Sequence, residues 1–104
     1  MARPLAVTIL AWLYVAVGAG GLVSHLADGV WVELVEIAAV IAGAFMLRGQ
    51  NWARWLALAW MAFHVILSAF HAFREVAIHC LFLAVIAWIL FRPEAARYFG
   101  GAPV

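Results

Sequence analysis

The stretch LAVTILAWLYVAVGAGGLVSHL, residues 5–26, decides the fold, because nothing in it is charged apart from any proton on His25. A hydrocarbon core about 30 Å thick takes roughly 20 helical residues per crossing. In lipid the backbone must bond within its own segment, so a run of this length reads as a transmembrane helix. It is also too long for the apolar region of a cleaved leader, and it is expected to stay in the membrane.

Three further apolar runs follow, at about 30–47, 52–73 and 76–91. They are separated by Asp28-Gly29, Arg48-Gly49-Gln50-Asn51 and Phe73-Arg74-Glu75. Connections this short do not suit a barrel of alternating strands. The expectation is an all-α membrane protein, a single domain over residues 1–104, with four transmembrane helices in an up-down antiparallel bundle and a short tail at 92–104. Composition agrees, since the 104 residues are 70% hydrophobic and 11% charged with no lysine. A soluble globular domain is far from these values.

Four crossings would put both termini on the side of the Arg48–Asn51 turn. That side would hold Arg3, Arg48, Arg54, Arg92 and Arg97, against Arg74 alone on the other. The positive-inside rule then predicts both termini in the cytoplasm of a bacterial-type inner membrane, as a multi-pass protein. Trp52, Trp55 and Trp88 fall near the predicted inner interface and Trp31 near the outer, whereas Trp12 and Trp60 come nearer mid-helix. The tail residues Arg92 to Phe99 mix basic and aromatic side chains and are expected to lie on the anionic inner surface.

Local signals refine the helices. Pro4 suits a helix start, and the Thr8 hydroxyl can bond back to the preceding turn. Ala16, Gly20 and Ser24 repeat every fourth residue and predict a narrow packing face, within the chain or toward another copy. Asp28 and Asn51 are candidate caps for the second and third helices. Cys80 is alone, which excludes an intrachain disulfide and any CxxC pattern.

Polar side chains inside these runs are the functional signal. At 1.5 Å per residue, Glu33 would lie roughly 4–5 Å and Glu36 roughly 9 Å below the outer boundary. His71 comes out roughly 4–5 Å deep and His79 about 6 Å deep, with His25 at the boundary, Ser68 level with Glu36, and His64 near the centre. A charge in hydrocarbon costs about 2.5–3.5 kcal/mol even on lenient insertion scales, so Glu33 and Glu36 need shelter or a counter-charge.

The sequence therefore predicts a His/Glu cluster in the outer half of the bundle. Glu33, Glu36, His64, Ser68, His71 and His79 are its candidate ligand or proton residues. His25, Glu33, Glu36, His71 and His79 are the candidate metal ligands, because imidazole and carboxylate suit a divalent transition metal. Haem held by His71 with His79 or His25, or a quinone, ranks below the metal. The Glu-x-x-His motif of four-helix dimetal sites is absent.

Other readings of the same cluster are an accessory or assembly subunit of a membrane complex and proton-coupled transport by a homo-oligomer. The expected partners are the lipid bilayer and either further copies of this chain or a larger membrane complex. No basic face or phosphate-cradling loop points to nucleic acid. No nucleophile elbow accompanies Ser24 or Ser68, so the balance is against an enzyme.

Overall fold

The computed structural model describes residues 3–24 and 29–100. Among them are five helices: α1 Leu5–Ser24, α2 Val30–Leu47, α3 Asn51–Ser68, α4 Phe73–Phe91 and α5 Pro93–Gly100. Three of these, α1, α2 and α4, are long and apolar enough to cross a membrane by length and composition. The chain is a multi-pass membrane protein.

The expected four transmembrane helices are corrected to three candidate spans within a five-helix chain. α3 matches α2 in length at 18 residues, but Asn51, Arg54, His64 and Ser68 make it too polar to count as a span. α5 occupies the segment expected to be a tail. Placing both termini in the cytoplasm relied on an even number of crossings and falls with that count.

A second correction concerns the hairpin between α3 and α4. The charges of Arg74 and Glu75 read as the break, yet both lie in the first turn of α4. There the Glu75 carboxylate faces the positive end of the helix dipole, a favourable place for an acid. The chain instead unwinds just after Ser68. Phe70 N–H bonds to Leu67 C=O and His71 N–H to Ser68 C=O, and the extended Ala72 then precedes the new helix. His71 is consequently an exposed turn residue. His79 moves deeper, to the seventh residue of α4, the same rank that Glu36 holds in α2.

Consecutive helices pack antiparallel in chain order. The tightest seam joins α1 to α2, where backbones touch because side chains are missing. A β-carbon on Gly43 would lie 2.5 Å from the Ala11 carbonyl oxygen, and one on Gly18 would lie 2.7 Å from that of Glu36. Ala11, Ala39 and Ala42 are fully buried along the same seam. Small residues at such a contact are how membrane helices gain packing where lipid leaves little hydrophobic drive between them. The anticipated strip of Ala16, Gly20 and Ser24 is turned away from this seam and exposed.

At the opposite end from the α3–α4 turn, α5 folds across the bundle. Ala95 and Phe99 are buried, and the Tyr98 hydroxyl lies 3.0 Å from Met46 C=O and 2.7 Å from Leu47 C=O. These carbonyls end α2; that of Met46 also accepts from Gly49 N–H at 3.1 Å in the closing turn. Arg3 donates to Leu47 C=O as well, at 2.6 Å. Arg54 donates to Leu90 C=O at 3.0 Å, with its guanidinium 4.3 Å from the centre of the Phe91 ring and 5.6 Å from that of Phe99. The apolar face of α5 is thus occupied by protein and does not lie on lipid.

Smaller expectations resolve locally. Thr8 does return its hydroxyl to Pro4 C=O, at 3.2 Å. α3 is preceded by Gln50, with Asn51 already helical and no side-chain cap bond. Asp28, the other anticipated cap, and His25 lie outside the described residues.

Candidate functional site

α1 and α4 scarcely touch, although α1–α2, α2–α3 and α3–α4 all pack closely. The gap between them is a half-open cleft of about 1100 Å³, floored by α3 and reached from behind by α2. Toward the α5 end its walls are apolar, with Ala6, Ile9 and Leu10 facing Ile86 and Ile89. Toward the α3–α4 turn they become polar, with Ser24, Glu36, His64 and His79 on the lining. From Ala6 to Ser24 the helix rises about 27 Å, so the cleft follows most of a membrane crossing.

Glu36 is placed by the α1–α2 seam. It follows the buried face Glu36, Ala39, Gly43 and Met46 of α2, which points it at α1, where Gly21 leaves room for its carboxylate. A β-carbon on residue 21 would overlap that group. The residue is 8% exposed. Among the described residues its side chain makes no hydrogen bond or ion pair, while its lining position turns it to the cleft.

The donors around it are already given away. Tyr14 O–H bonds to Ala57 C=O at 2.7 Å, and Trp60 Nε1–H bonds to Val35 C=O at 2.8 Å. Their rings lie 5.4 Å apart and both line the cleft. His64 Nδ1 is 2.8 Å from Trp60 C=O, and His79 Nδ1 is 2.7 Å from Glu75 C=O. A carbonyl can only accept, so each Nδ1 carries the proton. The two imidazoles stack with centres 6.3 Å apart.

The predicted cluster converges only in part. Glu36, His64 and His79 line the same end of the cleft, the two imidazoles near each other. Glu33 lies half-buried in the first turn of α2. Ser68 is buried and returns its hydroxyl to Val65 C=O at 2.8 Å. His71 sits exposed in the turn, with Nδ1 2.9 Å from Leu67 C=O.

No group of three or more His, Cys, Asp or Glu side chains among the described residues is arranged to hold a metal ion. The transition-metal assignment to Glu33, Glu36, His71 and His79 is therefore withdrawn, with His25 outside the described residues. Of the haem pairings, His71 lies in the turn and His79 seven residues into α4, so these two do not share a level, and His25 is outside the described residues. Of the donors that a quinone's carbonyls would need, those of Tyr14 and Trp60 are committed to backbone carbonyls and the Ser24 hydroxyl is left. The transport and assembly readings rest on the same cluster, of which only Glu36, His64 and His79 line the cleft.

Sequence reasoning missed Tyr14, Trp60 and Gly21. A signal was present, since Val7, Tyr14 and Gly21 recur at seven-residue spacing and mark one helix face, the one that turns inward. No family model, curated protein or solved structure matches the chain.

Proposed function

We propose that the chain is a membrane-embedded binding protein that takes an amphiphile sideways from the bilayer into the cleft between α1 and α4. One observation carries this reading: a cleft of about 1100 Å³ runs along the spans, apolar for most of its length and ending at a carboxylate with no partner among the described residues. Ligand sites are typically apolar concavities with a few polar groups that fix orientation. Here the apolar portion accepts a hydrocarbon body, and Glu36, His64 and His79 meet the head. No catalytic step is assigned. Helical spans fit a bacterial-type inner membrane better than a barrel-bearing outer one.

The test uses the full chain in phosphatidylcholine nanodiscs titrated with 11-bromoundecanol, whose bromine quenches nearby indoles. Exposed Trp12 and Trp88 report unsaturable partition into lipid, whereas Trp60 lines the cleft. A saturable component lost in Trp60→Phe, and weakened in Val17→Phe and Val85→Phe with helix content unchanged, is expected. Quenching that rises linearly in all four proteins would remove the cleft as a binding site.

A further inference from the structure

The geometry points to a protonated, N–H-bearing amine as the head group of the bound amphiphile. This inference rests on the cleft being a binding site and concerns what its polar end selects. Of the polar groups lining that end, Tyr14 O–H and Trp60 N–H are donated to backbone carbonyls. Both imidazoles give Nδ1–H to carbonyls as well, which leaves each Nε2 as an acceptor when the ring is neutral. Glu36 is an acceptor through both oxygens when ionised. Only the Ser24 hydroxyl can act either way. The pocket therefore presents a surplus of acceptors around the carboxylate of Glu36, a residue 8% exposed and unpaired among the described residues.

An anionic or acceptor-only head would meet that carboxylate with nothing to give. A neutral alcohol would satisfy one acceptor. A primary ammonium supplies three N–H donors and the counter-charge, in the charge-assisted bonds that are the strongest of their kind. A quaternary ammonium keeps the counter-charge but has no N–H to donate, so it forgoes the hydrogen bonds. The preference is thus for alkylammonium over alkyltrimethylammonium, which charge alone would not produce. The same ammonium is carried by a free lipophilic amine or by an ethanolamine lipid.

The experiment displaces 11-bromoundecanol from the wild-type chain with four probes of one chain length: dodecylammonium, dodecyltrimethylammonium, dodecanol and dodecyl sulfate. Each concentration is corrected for partition into protein-free nanodiscs. Dodecylammonium is expected to displace the probe at about a tenfold lower level than dodecanol, a difference of about 1.4 kcal/mol, with the trimethyl compound in between. In Glu36→Gln the first two probes should become equivalent while saturable quenching persists. A second arm replaces part of the choline lipid by phosphatidylethanolamine. Lower probe occupancy there assigns the ammonium to a lipid head group, and unchanged occupancy assigns it to a free amine. Equal displacement by dodecylammonium and dodecanol in the wild type, or preference for the sulfate, would overturn the inference and leave the cleft standing. Absence of saturable quenching would overturn the cleft itself. The wild-type series needs no variant to fold.

Discussion

Gly21 and Glu36 share one space: the β-carbon that Gly21 lacks would coincide with the Glu36 carboxylate. The acid crosses the α1 backbone to reach the cleft, and a glycine is what lets it pass. Gly21→Ala should cost about 1–2 kcal/mol, the usual range for overpacking that a flexible side chain can partly relieve. Combining it with Glu36→Ala removes the overlap, so the two changes should be non-additive by at least about 0.5 kcal/mol. Unfolding of the two single variants and the double variant in mixed detergent measures this directly. Additive losses would separate the two residues.

Glu36 itself is expected to lower stability while serving the site. A carboxylate in apolar surroundings is held at a cost on the order of 2.5–3.5 kcal/mol on insertion scales. Unlike a structural acid, Glu36 has no partner among the described residues to offset it. Glu36→Gln should therefore raise the thermal midpoint of the ligand-free protein, the usual exchange between function and stability. A marked drop in the midpoint would identify Glu36 as one half of a structural pair instead.

The α1–α2 seam predicts a ranking among glycines that composition cannot supply. At residue 43 an added methyl meets the Ala11 carbonyl at 2.5 Å, a backbone atom that cannot swing aside. At residue 20 nothing lies within 4 Å. Gly43→Ala should cost about 3 kcal/mol or more, at the upper end of overpacking. Gly20→Ala should be neutral or slightly stabilising, because alanine is the better helix former. Detergent unfolding of the two variants checks the order, and equal effects would refute the assigned helix rotation.

What the sequence made legible follows from what it encodes locally. Apolar length alone located α1, α2 and the body of α4, and Gly49 does close α2 in a left-handed turn with φ 75°. The α3–α4 turn was misplaced because Arg74 and Glu75 look like a loop, whereas helix termini tolerate charge through their dipole. That shift of a few residues took His71 out of the cluster. Helix rotation was the larger loss. Every face of α1 is apolar, so Ala16-Gly20-Ser24 and Ala11-Gly18-Gly21 look equally suited to packing, and only contact with α2 chooses between them. Glu36 was read correctly as needing shelter. Its surroundings were not, because Tyr14 and Trp60 carry no signal beyond their spacing until three helices meet.

The hold on α5 yields a last prediction, concerning local rather than global stability. Eight residues are too few for an independent helix in water, so α5 depends on Phe99, which is 3% exposed, and on the Tyr98 bonds to the end of α2. Truncating a buried phenylalanine typically costs about 3–5 kcal/mol, comparable with all that so short an element can contribute. Phe99→Ala should therefore release α5 while α1 and α2 keep their packing, as a local opening. Tyr98→Phe should loosen it less, by about 1 kcal/mol for the lost hydroxyl contacts. Hydrogen exchange of the amides over residues 93–100 separates these outcomes. Fast exchange confined to that segment in Phe99→Ala is expected, and unchanged protection would mean that Phe99 does not hold α5 in place.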